Sequence, residues 1–376
     1  MSGKLKHIEK GDFTTMRMKY VACLNQEMAK ITEETLVVGI DIAKIFQWAR
    51  FVDYRGIEHN KAFKFKNRKS GFEAILAKIG QICKTEGFIK VIVGMEPTGH
   101  YWKPLANWMA KKDAVTVVLV NPYATKRAKE LDDNSPTKSD KKDALTIAKL
   151  VKDGRYFHLY LPHDIYAELR TLTTTRTGLV KRINALKNTI VAVMDEYFPE
   201  YTDVFKCPLK GKASRHILKV CPFPCFIIEL GEEGLVLEIR KAVKKSVGRK
   251  KALQLLEAAK GSIGVDNGEA ATKQKLLLLI EELELVEKQI LVLEEQMAEA
   301  MRQTDYAEYL LSIKGIGVVS LAMCLGELGD PTRFEDARQM SRMAGYNLIE
   351  DSSGKNKMEP KSPKGVERTC GACCTI

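Results

Sequence analysis

Hydrophobic and polar positions change their rhythm twice along this chain. From about residue 35 to 155, short apolar runs alternate with amphipathic stretches. "TLVVGIDIA" (35–43) and "FQWARFVDYRG" (46–56) predict two strands joined by a tight connection, and "IEHNKAFKFKN" (57–67) a third in a meander. In "SGFEAILAKIGQICKTEG" (70–87), Phe72, Ile75, Leu76, Ile79 and Ile82 fall on one helical face, with Gly87 after the end. "KVIVGME" (90–96) predicts a buried strand, "YWKPLANWMAKK" (101–112) a helix and "AVTVVLVNP" (114–122) another strand. The pattern describes a mixed α/β sheet with helices on its faces.

The rhythm then lengthens into helices. One runs through "AELRTLTTTRTGLVKRINALKNTIVAVMDEYFPEY" (167–201). A second runs through 272–303, where Leu276, Ile280, Leu283, Ile290, Met297 and Met301 keep three-four spacing. That spacing predicts a coiled coil, and with it a homo-oligomer (dimer or tetramer), although a helix packed inside one subunit gives the same pattern. "CPFPCF" and "GSIGVDNGEA" are breaks between helices. A last unit begins with the Gly-x-Gly turn of "IKGIGVVSLAMCL", and two short helices flank Asp330-Pro331.

Composition narrows the class. With 376 residues there is room for two or three cores, and a net charge of +12 favours a polyanionic partner, nucleic acid ahead of a membrane. No apolar run approaches the ~20 residues a spanning helix needs, so no membrane partner is expected. The nine cysteines form no framework, which predicts a reducing, cytoplasmic setting. Cys370-x-x-Cys373 lacks a second ligand pair for zinc.

The candidate chemistry is acidic. Asp41 and Glu96 each end an apolar strand, and Asp140 and Asp143 open a helix three residues apart, on one face. Any one of these has an ordinary explanation as a turn or cap residue. All four on an α/β pattern predict convergence at one sheet edge. Clustered carboxylates tolerate one another when Mg²⁺ (or Mn²⁺) lies between them, and two such ions ~3.5–4 Å apart serve phosphodiester cleavage. A sugar-kinase or actin-like reading of "VGIDIA" needs later Gly-rich phosphate turns after a strand, and none follows. Gly315 and Gly317, with Lys314 beside them, suit a helix–hairpin–helix whose free N–H groups hold a DNA phosphate; a plain interhelical turn is the alternative.

These segments together resemble a known family. "GIDIAK", "GMEPTGHYW", "NPYATKRAKE" with "KSDKKDA", then "IKGIGVVSLAMCLGELGDPTRF", "AGYN" and "SSG", are similar to the DEDD transposases of bacterial insertion sequences. This is the family numbered 110, recombinases guided by a bridge RNA. The resemblance implies an α/β ribonuclease-H-like (RuvC-like) domain, a mostly helical region with coiled coil, and a small helical transposase domain. It implies metal-binding acids at Asp41, Glu96, Asp140 and Asp143. It also implies a serine nucleophile at Ser353, with Ser352 the lesser choice, and DNA and a structured noncoding guide RNA as partners in a bacterial cytoplasm. The expected divisions are a loosely ordered leader (1–30), catalytic domain (31–160), helical region (161–305), partial transposase domain (306–357) and a frameshifted tail (358–376). Suitable codons for 361–376, read one base earlier, can spell a basic run of the kind the family carries there. Such a tail would leave the loop of Ser353 without helical support and impair this copy. Two other readings use the same residues: a Holliday-junction-resolvase-like nuclease cutting by hydrolysis, and a non-catalytic nucleic-acid-binding remnant.

Overall fold

The computed structural model describes residues 22, 24–132, 140–243, 248–305 and 307–343, with the short strands at 352–353 and 356–357. The chain divides into two compact units, residues 1–161 with 332–376, and residues 162–331. That division falls inside the 306–357 segment.

The first unit is built on a six-stranded sheet. Its strands are β1 (Thr35–Asp41), β2 (Phe46–Val52), β3 (Phe63–Lys66), β4 (Lys90–Met95), β5 (Val115–Leu119) and β6 (Phe157–His158). They lie in the order β3-β2-β1-β4-β5-β6. The meander β1–β2–β3 is antiparallel, β4 and β5 run parallel to β1, and β6 is antiparallel to β5. This is the expected ribonuclease-H-like arrangement. The two-residue β6 has too little pattern to announce itself in the sequence.

Alternation along β1 separates the two faces. Leu36, Val38 and Ile40 point to α1 (Lys69–Glu86) and α2 (Trp102–Met109), in a core with Phe72, Ile75, Ile79 and Leu105. As the spacing predicts, Phe72, Ile75, Ile79 and Ile82 are buried; Leu76 is partly so, and Gly87 closes α1 with φ +82°. Val37, on the other face, joins Ile147, Ala148 and Val151 of α4 (Asp140–Lys152). Between β5 and α4 lies α3 (Pro122–Asp132), which the sequence pattern does not predict.

Two glycines set how closely α4 approaches. Gly39 of β1 and Gly94 of β4 pair directly across the parallel ladder. A Cβ on Gly39 would lie 2.1 Å from the Ala144 carbonyl oxygen and 2.4 Å from the Ala148 nitrogen. One on Gly94 would lie 2.3 Å from the Val151 side chain. The backbone of α4 thus rests on a side-chain-free strip of the sheet, which fixes where its first turn falls. Part of the segment read as a leader also joins this unit. Residues 24–29 are helical, and Tyr156 Oη donates to the Glu27 carboxylate at 2.8 Å.

Among the described residues the second unit contains helices and no strands: α5 (Asp164–Tyr197), α6 (Tyr201–Val204), α7 (Lys212–Val220), α8 (Pro224–Ala242), α9 (Gly248–Lys260), α10 (Glu269–Arg302), α11 (Ala307–Leu311) and α12 (Val318–Leu328). The two 34-residue helices α5 and α10 pack on each other. Leu276, Ile280 and Leu283 are buried against Ile183, Leu186 and Ile190, while Met297 and Met301 join Leu169 and Leu325. With Ile290 partly buried against the same core, the seam is covered by the chain's own helices, the intrasubunit alternative that the spacing allowed. Periodicity shows that a helix has an apolar face but not what covers it. "CPFPCF" is a break only in part, since α8 starts at Pro224, in the position where a missing N–H costs nothing. Among the described residues, no helix is long and apolar enough to cross a membrane.

Candidate nucleic-acid-processing site

The four acids reach one edge of the sheet by three routes. Asp41 is the last residue of β1, on the α4 face. Glu96 follows the last residue of β4, the neighbouring parallel strand, so both emerge at the same sheet edge. Asp140 and Asp143 occupy the first turn of α4, where the helix dipole favours negative charge. Asp140 is exposed and Asp143 buried.

Electrostatics records their convergence. Burial pushes the Asp41 carboxyl up to about 7, and the negative charges of Asp143, Asp140 and Glu96 push the same way, outweighing Lys129. Lys129, on α3, places its Nζ 2.7 Å from Asp143 Oδ2. Thr98 Oγ1 donates to Glu96 Oε1 at 2.6 Å, and the turn after it uses Gly99 at φ +67°. The connection after Asp41 is held by Gln47: the Ala43 N–H donates to Gln47 Oε1 at 3.0 Å, and Gln47 Nε2 donates to the Ala43 carbonyl at 3.1 Å.

Sequence reasoning missed Gln47 and Lys129. Gln47 did leave a signal, a polar residue on the inward phase of β2 beside Ala49 and Phe51, all fully or almost fully buried. Lys129 left none, because its role depends on how α3 lies against α4.

An all-carboxylate donor set suits a hard divalent cation. Burial first, and then the neighbouring carboxylates, disfavour the charged form of Asp41, and the Lys129 ammonium stands against Asp143. Among the described residues, no three acidic, histidine or cysteine side chains are disposed to hold one ion. The donor chemistry fits such an ion, and Lys129 partly neutralises the cluster at Asp143.

The remaining expected residues lie elsewhere in the chain. Ser352 and Ser353 form β7 (Ser352–Ser353), paired antiparallel with β8 (Asn356–Lys357), Ser353 opposite Asn356. Their side chains lie outside the described residues, as does the whole of 358–376. In the second unit the Gly-x-Gly turn does join two helices. Gly315 has φ +99°, Gly317 precedes α12 in an extended conformation, and Lys314 is exposed.

Comparison with known proteins adds independent information. A family profile for the IS110 DEDD type, described as a transposase, matches residues 38–199. A second, described as the transposase IS116/IS110/IS902 family, matches residues 307–369. The chain belongs to the IS110 transposase family. The second match runs into the segment that the sequence pattern sets apart at 358. A protein of the IS117 mini-circle from Streptomyces coelicolor is 27% identical over 252 residues, 64% of this chain and 60% of that relative. The 43.6 kDa protein of insertion element IS110 from the same species is 23% identical, over 79% of this chain and 71% of its own. The match to the IS117 relative thus spans about three fifths of that protein's length. Among solved structures, T. thermophilus RuvC in complex with a Holliday junction substrate aligns with 33% of this chain and 99% of its own, at 18% identity and a TM-score of 0.25.

Proposed function

We propose that this IS110-family chain is a DNA transposase or recombinase whose first unit cuts DNA at the Asp41–Glu96–Asp140–Asp143 cluster. The observation that carries this is the placement of Asp41 and Glu96 at the ends of adjacent parallel strands, with Asp140 and Asp143 opening α4, where burial and then the other three acids push the Asp41 carboxyl up to about 7. A fold gathers like charges at a sheet edge only where something compensates them, and strongly perturbed groups of this kind mark functional sites.

Asp41, Glu96, Asp140 and Asp143 would hold Mg²⁺ or Mn²⁺, and the ion would supply charge neutralisation for phosphodiester chemistry. Within the chain, Lys129 pairs with Asp143 and would offset its charge, and Thr98 orients Glu96. Ser353 is the proposed nucleophile. Its oxygen forms a bond to phosphorus, the bond from phosphorus to the departing strand oxygen breaks, and the serine proton ends on that oxygen. The phosphoserine conserves the bond for rejoining. Lys314, Gly315 and Gly317 contact a backbone phosphate, and a structured guide RNA supplies sequence choice, leaving shape and phosphate to the protein. Oligomerisation falls to the outer stripe of α10, where Leu278, Leu285 and Val292 stand exposed seven residues apart.

The experiment is a search for a covalent protein–DNA adduct, with insertion-sequence-end DNA, the guide RNA and Mg²⁺. The expected result is an adduct lost in both Ser353→Ala and Asp41→Asn. Metal-dependent cleavage that survives Ser353→Ala would instead establish a hydrolytic, resolvase-like nuclease. Neither adduct nor cleavage, with binding intact, would establish a remnant.

A further inference from the structure

One face of the first unit carries more aromatic and cationic surface than a sheet edge needs. Phe46, Trp48 and Arg50 alternate along β2 on the phase opposite the buried Gln47, Ala49 and Phe51. Across the antiparallel ladder Phe46 pairs with Lys66, and Trp48 with Lys64. Lys64 Nζ lies 4.3 Å from the Phe46 ring centroid and 5.5 Å from that of Trp48, and Lys66 Nζ lies 6.0 Å from Phe46. From above, Lys141 of α4 places its Nζ 4.7 Å from the Trp48 ring. Arg50, at the inner end, is bonded to Glu58 and reaches the Lys141 carbonyl. Phe46 remains 38% exposed.

Register joins this surface to the carboxylates. Trp48 pairs directly with Asp41 on the other side of β2. Directly paired positions share a face, with Cα atoms about 4.5–5.5 Å apart. Asp41, Trp48 and Lys64 therefore form one row across three strands, with Phe46 and Lys66 in the next row outward. Lys141 follows Asp140 in sequence and lies against the Trp48 ring.

We propose that this surface is a stacking platform for the unpaired bases of the DNA strand delivered to the carboxylate cluster. Bases within a duplex already stack on each other, so exposed rings offer binding only to a strand that has been opened. The lysines match a phosphate backbone in charge and spacing, and their contacts with the rings at an exposed surface are weak. On binding, base faces take the rings and the ammonium groups turn to phosphates. The proposal rests on the DNA-cutting reading for its choice of DNA over RNA. The binding itself requires neither metal nor cleavage.

The test uses the full chain in EDTA. It is titrated with oligothymidylate of about 12 nucleotides, with a duplex of the same length and with oligouridylate. Tryptophan fluorescence provides the signal: Trp102 is buried, Trp48 and Trp108 are half-buried, and the Trp48 variants separate those two. Oligothymidylate is expected to quench the wild type. Trp48→Leu should lose the quench and bind it about 5- to 150-fold more weakly, the range expected for one lost base stack. Trp48→Phe, which keeps a ring, should lose the quench but retain most of the affinity, and it guards against a folding defect. Phe46→Leu should weaken oligothymidylate binding further, with duplex affinity unchanged throughout. Wild-type affinity in Trp48→Leu, or an equal loss for duplex, would overturn the platform. Tighter binding of oligouridylate than oligothymidylate, with the same losses, would overturn the assignment to DNA. Failure of metal-dependent cutting with this binding intact would count against the proposed function and leave the platform standing.

Discussion

The acids along α10 and those around Asp41 at the sheet edge are treated in opposite ways. On α10, the acids that face neighbouring helices each meet a base. Arg176 bonds Glu294 at 2.8 Å, Arg182 bonds Glu282 at 2.8 Å, Lys219 bonds Glu284 at 2.7 Å, and Arg215 grips Glu287 with two nitrogens at 2.6 and 2.8 Å. Arg215 holds the Glu287 carboxyl below the usual range. In the sheet unit, Asp41 is driven the other way, and Lys129 offsets only part of the charge around it. Balanced acids tie helices together, whereas a buried acid among like charges costs stability.

The largest expected effect tests how that imbalance is built. Gly39→Ala sets a Cβ against the backbone of α4, which has no side chain to yield. A loss of about 3 kcal/mol or more is expected, the upper end of overpacking costs, together with loss of cutting. Urea unfolding and the cleavage assay check both. The matched control is Gly178→Ala in the middle of α5, where nothing lies within 4 Å of the new Cβ. That change should stabilise by about 0.5–1 kcal/mol through helix propensity.

Next comes the sign of each unit's response to pH. The Asp41 carboxyl has a folded pKa near 7, above its unfolded value of about 3.9, so its ionisation opposes folding. Its cost is absent at low pH, grows from about pH 4 to about 7, and is constant above. In metal-free buffer, Asp41→Asn should therefore raise the thermal midpoint at pH 8 and change it little at pH 4. Mg²⁺ should raise the wild-type midpoint at pH 8 more than that of Asp41→Asn. A fall in the pH 8 midpoint on Asp41→Asn would break the comparison.

Glu287 should behave in reverse. Its folded pKa is depressed, so its contribution is present above the unfolded value of about 4.3 and is lost as pH falls through the folded one. Glu287→Gln should cost about 1 kcal/mol at neutral pH, and the difference from wild type should vanish in acid. Smallest in folding free energy is Leu285→Lys, on the outer stripe of α10. It should leave the thermal midpoint nearly unchanged while sedimentation reports a smaller assembly. An unchanged assembly would remove the stripe from the proposed interface.

Much of this was legible in the residues themselves. Alternation placed β1, β2 and β4, three-four spacing placed α1, α5 and α10, and residue type with local position singled out Asp41, Glu96, Asp140 and Asp143. These signals are local, because a strand's phase and a helix's face are written within a few residues. The helix α3, the two-residue β6 and the partner of the α10 seam were not legible, since each depends on segments distant in sequence. The same holds for the site. Sequence by itself determined which acids end strands and open a helix. Only tertiary structure decided that the paired Gly39 and Gly94 let α4 lie against the sheet, that Lys129 meets Asp143, and that Trp48 stands beside Asp41. Those facts follow from strand register and from the distance at which one backbone can approach another, neither of which a linear pattern encodes.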